Sequence, residues 1–532
     1  MRARSFTGRA PREDVLVILI NPPVVKPSEP PAGPAALSGA LTAFGLRHTL
    51  LDANLEALLW LLQGSVPGPV PDTWTRRALL HLPANLALLR DWRGYTHIAR
   101  YRKAVSEVNR VIERSAPAGT RLSLADYGHD RLVPVKSDDL LRAARHPEEN
   151  VFYPYFSARI RGLLEGGAGH SVIGLSLNYL SQALCAFSII GFLRLSCPGV
   201  RIVLGGGLIT SWMSNPAWDN PFEGLVDRLV PGPGEEYVLS LFGVDARNGA
   251  SCPSFDNLPL DLYLAPGPVL PYAASRGCYW RRCSFCPEKT EGRTCSPRPS
   301  GRVIADLRLL AARHNPALIH LVDDAVSPAL MRALTASMPG TPWYGFARIT
   351  AELADPDFCR SLRASGCVML KLGVESGDQG LLDALGKGID LATAARALAA
   401  LKRAGIGTYV YLLFGTPQED LPSARKTLAF VAGVSSLIDF LNLAVFNLPV
   451  NCEEARGLGL RAFYDGDLSL YTDFAHPHGW GRREIRAFLT GEFKAHPAIR
   501  PILLRQPPLF TSNHAPLLHM AHTPASTINA AG

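Results

Sequence analysis

The residues best equipped for chemistry lie in one run, Ser275-Arg276-Gly277-Cys278-Tyr279-Trp280-Arg281-Arg282-Cys283-Ser284-Phe285-Cys286. Three thiols within nine residues, directly after an apolar stretch that reads as a strand, can wrap one metal centre. Gly277 lets the backbone turn close to it. On a four-iron cluster, three protein ligands leave one iron without a protein donor, and an open iron can be chelated by a substrate or cofactor. Zinc is the alternative, with Cys295 supplying a fourth thiolate to close a tetrahedral structural site. Zinc ribbons usually pair two C-x2-C knuckles, whereas here one asymmetric cluster opens a long alternation of strands and helices. The other seven cysteines, 295 included, are scattered and read as small buried hydrophobes.

Such a loop needs strands to carry it. After a Pro-rich linker (Pro259, Pro266, Pro268, Pro271), strand candidates recur at Tyr272 to Ser275, Leu318 to Val322, Trp343 to Phe346, Val368 to Val374, Thr408 to Phe414 and Ile438 to Val445. Helices fall between them; Asp390 is placed to cap one that runs through Ala404, and Gly405 to end it. Repeated strand-helix units predict a parallel barrel or partial barrel, with its chemistry at the strand C-terminal ends.

The first half repeats this grammar more sparsely. Val15 to Ile20, a helix from Ala35 to Phe44 and Thr49 to Leu51 form one group; Val172 to Leu177, a helix from Gln182 to Leu195, Arg201 to Leu204 and Gly205-Gly206-Gly207 form a second. Both predict a parallel sheet with helical crossovers. Residues 57–168 between them read as a mostly helical insertion, with periodicity over Arg76 to Arg90 and Tyr101 to Arg114. The domains expected are 1–255 (an α/β sheet domain), 256–450 (the barrel) and a 451–532 extension whose last ten residues read as disordered.

Composition limits the class. The chain has 532 residues, 47% apolar and 19% charged, a globular balance with room for two or three domains at roughly 150 residues each. No window reaches the roughly 18 apolar residues of a membrane span, and Val15 to Ile20 is too short for a signal-peptide core, so the expected location is cytoplasmic. Net charge is +8, from 54 basic against 46 acidic residues dispersed along the chain, without a stripe for nucleic acid.

The cysteine run, with Asp323-Asp324, Gly373-Val374-Glu375-Ser376-Gly377 and Phe414-Gly415-Thr416-Pro417 after successive strands, resembles the radical S-adenosylmethionine (SAM) superfamily. More narrowly, the order Asn21-Pro22-Pro23, Asp52, Gly174-Leu175-Ser176, Gly205-Gly206-Gly207 and Gly232-Pro233-Gly234-Glu235 resembles the class in which a cobalamin-binding domain precedes the radical domain. The resemblance implies a Rossmann-like cobalamin-binding domain followed by a partial (β/α)6 barrel. It implies that Cys278, Cys283 and Cys286 hold a four-iron, four-sulfur cluster that chelates SAM and cleaves it to a 5'-deoxyadenosyl radical. Phe285 would flank the adenine, Glu375 would accept hydrogen bonds from the ribose or ammonium, and Arg348 would pair with a carboxylate. Ser176 and Gly205, Gly206 and Gly207 would meet the cobalamin nucleotide tail.

The spacing C-x4-C-x2-C is one residue longer than the family's common pattern. The histidine motif that ligates cobalt in many cobalamin domains is absent, since the first histidine is His48. The implied activity is methyl transfer from methylcobalamin to an unactivated carbon of a small molecule or peptide, with flavodoxin or ferredoxin as electron donor. The alternatives are a radical cyclisation, rearrangement or oxidation without methyl transfer, and a non-catalytic iron-sulfur and cobalamin sensor. Specificity is expected from residues 57–168 and from the region of His476, His478 and Trp480.

Overall fold

In a computed structural model, residues 15–64, 72–165, 170–245, 251–463, 465–509 and 514–522 are described. The reading of Thr523 to Gly532 as a disordered tail lies outside them. The chain forms two compact units: Met1–Leu82, Glu107–Tyr263 and Gly466–Leu468 make the first, and Pro83–Ser106, Leu264–Asp465 and Ser469–Gly532 the second.

The first unit is built on β1 (Val15–Ile20), β2 (His48–Leu51), β3 (His170–Ser176), β4 (Arg201–Gly205) and β5 (Arg228–Val230). All pairings are parallel and the order is β2-β1-β3-β4-β5. Every residue of β1 is buried, as its unbroken Val-Leu-Val-Ile-Leu-Ile run requires of an interior parallel strand. Helices α1 (Ala32–Ala43), α2 (Ala53–Gln63), α3 (Leu180–Ser196) and α4 (Gly207–Met213) connect the strands. Asp52 caps α2 through the Leu55 amide. Within α3, a Cβ on Gly191 would lie 1.8 Å from the Ala144 carbonyl, so that glycine lets the helix cross the neighbouring segment at backbone distance.

The second unit carries six parallel strands in the order β11-β10-β9-β8-β7-β6: β6 (Val269–Tyr272), β7 (Leu318–Leu321), β8 (Trp343–Ala347), β9 (Cys367–Glu375), β10 (Gly407–Phe414) and β11 (Phe440–Val445). Consecutive strands are sequence neighbours throughout, which gives an open barrel of β/α units with right-handed crossovers expected. Helix α5 (Leu391–Arg403) starts on Asp390, which accepts from the Thr393 amide, and ends before Gly405 at φ 74°.

One placement differs from the expectation, and one element was not anticipated. The insertion at 57–168 is divided, since Pro83–Ser106 packs in the second unit: Tyr95 Oη donates to Leu89 and Leu264 carbonyls and Arg102 to the Leu504 carbonyl at 2.9 Å. The stretch around His514 is helical, α6 (His514–His522). Ala515 and Leu518 join a core with Val269, Leu318, Tyr344, Met369, Tyr409 and Phe440, residues at or near the starts of the barrel strands. Thus α6 closes the N-terminal mouth. A Cβ on Gly407 would meet Leu518 Cδ1 at 2.2 Å, and His514 stacks on Tyr409 at 4.3 Å between ring centres. Its shortness and Pro516 hid this helix in the sequence; its apolar residues count only once the barrel floor is there to receive them.

Candidate active site

At the C-terminal end of β6 the chain enters the cysteine loop, pinned at both ends. Ser275–Arg276 pairs antiparallel with Ser296–Pro297, and the buried Asp323 accepts from the Ala274 amide and the Ser275 hydroxyl. Burial pushes the Asp323 carboxyl up. Asp323 therefore holds the loop. Gly277 stands at φ 70°, and a Cβ there would be 2.8 Å from the Thr294 carbonyl.

Under the cysteine loop lies a second loop, Leu385 to Gly388, which the strand and helix pattern does not reveal. The Ser284 amide donates to the Leu385 carbonyl at 3.0 Å and Trp280 Nε1 to the Gly386 carbonyl at 2.9 Å. Both glycines have positive φ, and a Cβ would sit 2.6 Å from the Arg282 carbonyl at Gly386 and 2.1 Å from the Trp280 ring at Gly388. The Gly-Lys-Gly triplet at 386–388 was the available signal: two glycines around a cation let the loop lie flat while its side chain turns inward.

That side chain, Lys387, is buried and donates to Glu375 Oε1 at 2.7 Å. Glu375 ends β9 at φ 67°, beside a register irregularity at Gly373/Glu375, so the carboxylate is held in a backbone conformation unusual for its residue type. The Lys387 ammonium also lies 5.7 Å from the centre of the Phe285 ring. Arg348, just past β8 and only 6% exposed, has Nη1 at 3.8 Å from Cys283 Sγ, donates through Nη2 to the Lys387 carbonyl, and stacks 4.2 Å from the Trp280 ring. The expected residues Cys283, Phe285, Glu375 and Arg348 are thus brought together, with Trp280 and Lys387 added.

All three cluster thiols are free. Burial raises Cys283, opposed by the Lys387 and Arg348 charges, and raises Cys286 to about 11. Among the described residues no three His, Cys, Asp or Glu side chains converge on a single ion. A polynuclear cluster spreads its ligands more widely. The pinned loop, the three free thiols and the buried cations beside Cys283 fit such a cluster.

The region after Pro449 contributes a support. The His476 ring donates through Nε2 to the Thr416 carbonyl at 2.9 Å, and Trp480 Nε1 donates to Glu419 Oε2 at 3.0 Å, which also accepts from the Gly415 amide. These residues brace the Phe414-Gly415-Thr416-Pro417 turn after β10. Glu419 is fully buried, and burial raises its carboxyl to about 7. His478 stays exposed.

The first unit has its own polar constellation at the strand ends. Tyr263 Oη donates to Asp52 at 2.6 Å, Asn21 to Asp52 at 2.8 Å, and Gln182 to Asn21 at 3.1 Å and to the Pro22 carbonyl at 2.8 Å. Asn178 donates to the Ser176 hydroxyl at 3.1 Å and accepts from the Gly207 amide at 2.9 Å. Strand order reverses between β1 and β3, the position at which open parallel sheets generally bind ligands. Gly206 serves the backbone first: at φ 106° a Cβ would lie 2.4 Å from the Leu177 carbonyl. Gly207 is more open, its nearest contact Asn178 Oδ1 at 3.6 Å from a Cβ. Glycines and neutral hydrogen-bonding groups at this strand reversal are of the kind a nucleotide-tailed cofactor such as cobalamin would need. His48 is engaged elsewhere, with Ser38 Oγ and the Leu46 carbonyl each at 2.8 Å.

Residues 272–431 match the family Radical SAM superfamily. They form a radical SAM domain. The fold of the chain is similar to that of the cobalamin-dependent S-adenosylmethionine radical enzyme OxsB, solved with aqua-cobalamin and S-adenosylmethionine bound (TM-score 0.50, 16% identity, 80% of this chain and 52% of that one). It is similar also to the radical S-adenosylmethionine methyltransferase TsrM from Kitasatospora setae, solved with cobalamin and a [4Fe-4S] cluster (TM-score 0.50, 16% identity, 85% and 78%). In sequence, 186 residues are 26% identical to an uncharacterized methyltransferase of Pyrococcus horikoshii, PH0819, over 34% of this chain and 40% of that protein. An 80-residue stretch is 39% identical to the uncharacterized protein MK0932 of Methanopyrus kandleri, 15% of this chain and 14% of that one. The chain therefore spans well under half the length of these two relatives. The radical SAM domain holds the cysteine loop, Lys387, Glu375 and Arg348, and the parallel sheets of both units agree with the fold class read from the sequence.

Proposed function

We propose that the protein is a cobalamin-dependent radical SAM methyltransferase acting at an unactivated carbon of a small molecule or peptide in the cytoplasm, supplied with electrons by a flavodoxin or ferredoxin. The observation that carries this reading is the pinned loop of three free thiols at the strand ends of the radical SAM domain, backed by two buried cations, in a chain that also has a separate parallel sheet with a strand reversal. When bound, the cluster supplies the electron that cleaves the SAM sulfonium, and cobalamin supplies the methyl group.

The chain's own residues hold and orient. Cys278, Cys283 and Cys286 would hold the cluster. Phe285, packed among Phe446, Leu448 and Cys452, offers a flat face for the adenine. Glu375, fixed by Lys387, presents its carboxylate to the ribose hydroxyls or the ammonium. In the other unit, Ser176 and the Gly205 to Gly207 turn would border the cobalamin tail, with Asn178 setting the direction of the Ser176 hydroxyl. Among the described residues no helix is long and apolar enough to cross a membrane.

The test is metal analysis of full-length protein made anaerobically in a cobalamin-replete host, followed by reduction with SAM. Four irons and one cobalamin per chain, 5'-deoxyadenosine on reduction, and substrate gaining one methylene in mass are expected. Four irons without cobalamin turn the reading toward radical rearrangement or oxidation. Stoichiometric zinc without iron ends it.

A further inference from the structure

Arg348 is committed on three sides. Nη1 faces the Cys283 sulfur at 3.8 Å, Nη2 donates to the Lys387 carbonyl, and the guanidinium lies over the Trp280 ring at 4.2 Å. To grip a carboxylate in the fork-to-fork manner, a guanidinium must turn two of its N–H groups toward the same partner. Here both terminal nitrogens point to different atoms of the protein itself, and the side chain is buried.

Its charge is also unspent. Lys387, the other buried cation of the site, is paired with Glu375 at 2.7 Å, whereas among the described residues no carboxylate lies within ion-pair distance of Arg348. A full positive charge with an N–H aimed at a ligand sulfur stabilises added negative charge on the centre that sulfur binds.

Resting on the cluster reading above, we propose that Arg348 is a positioning residue for the iron-sulfur cluster: it hydrogen-bonds the Cys283 sulfur and raises the cluster's reduction potential, and it does not bind the SAM carboxylate. Reduction adds one electron to the cluster, supplied by the external donor, so a nearby fixed cation favours the reduced form. The same contacts tie the cysteine loop to Leu385–Gly388, which keeps Cys283 from drifting.

The experiment uses full-length protein with its cluster reconstituted anaerobically, as wild type, Arg348→Gln and Arg348→Lys. Iron content, the cluster midpoint from a redox titration followed by electron paramagnetic resonance without SAM, and SAM affinity by equilibrium dialysis are measured. In Arg348→Gln the midpoint is expected to fall, so that the ratio of reduced to oxidised cluster at a fixed poise drops roughly tenfold, about 59 mV for one electron. SAM affinity is expected to stay within about twofold, a small fraction of a tenfold step. Arg348→Lys keeps the charge with a single donor atom and should lie between.

An unchanged midpoint in Arg348→Gln overturns the proposal, and a large loss of SAM affinity in the same protein returns Arg348 to the carboxylate role. Loss of iron from both variants with the fold intact overturns it in favour of a purely structural clamp. Wild-type protein that assembles no four-iron cluster overturns both this proposal and the functional reading, and the iron analysis separates that case from the others.

Discussion

The strand ends of the two sheets are furnished in opposite ways. In the first unit they carry a chain of mostly neutral groups, Tyr263, Asn21, Gln182, Asn178 and Ser176, around one buried carboxylate, Asp52, hydrogen-bonded to one another and to the backbone. In the radical SAM domain they carry three thiols, two buried cations and a carboxylate in a strained backbone conformation. A neutral network suits a bulky cofactor gripped by many weak contacts, because no charge has to be desolvated to admit it. Fixed buried charge suits a centre whose own charge changes, because preorganised cations need no rearrangement when an electron arrives.

The contrast is most exposed to test at Lys387. Replacing it by Met leaves the Glu375 carboxylate without its partner in a site where the two side chains are 7% and 13% exposed. A loss of about 4 kcal/mol is expected for breaking a buried pair from one side, read by urea unfolding, with SAM affinity falling too. An unchanged unfolding free energy would mean that the pair is not what holds the loop.

Glu419 sharpens the comparison through pH. Its folded-state carboxyl is raised from 4.5 to about 7 by burial, so the fold favours the neutral form. The stabilisation this implies is complete below the ordinary carboxylate range and is lost as pH rises through about 7. Between pH 4 and 8 the wild type should lose about 3 kcal/mol from this group, and Glu419→Gln should flatten that slope. Equal slopes in the two proteins refute it.

Smaller effects are expected in the first unit, where no buried ion pair is at stake. Gly206→Ala places a Cβ 2.4 Å from the Leu177 carbonyl at φ 106° and should cost about 2 kcal/mol of that unit's stability by thermal unfolding. Tyr263→Phe removes the 2.6 Å donor to Asp52 and should cost about 1.5 kcal/mol while leaving iron content unchanged. If Tyr263→Phe lowered iron content, the two polar systems would not be separable as described.

Much of this was legible beforehand. Apart from the edge strand Arg228–Val230, which the sequence reading did not contain, the strands of both sheets stand within a few residues of their sequence positions, because an interior parallel strand is a short uninterrupted apolar run and needs no partner to be recognised. The three cysteines were legible because their spacing is local and their chemistry is specific. Phe285, Glu375 and Arg348 came from a resemblance. Their common location with the thiols is a structural fact that spacing alone does not contain, since they lie on three segments far apart in the chain.

The roles of Lys387, Trp280, Asn178 and Tyr263 are not legible in the sequence for a single reason. Each is an ordinary polar or aromatic residue until a distant segment is folded against it, Trp280 by Gly386 and Gly388, Tyr263 by Asp52 more than two hundred residues earlier. The division of residues 57–168 between the units and the closing of the barrel floor by α6 belong with them. Periodicity, composition and the ligand triplet are properties of neighbours along the chain, and these the amino-acid order specifies directly. Which cation faces which sulfur, and which glycine admits which carbonyl, are contacts between segments far apart in sequence, and only the packed tertiary structure decides them.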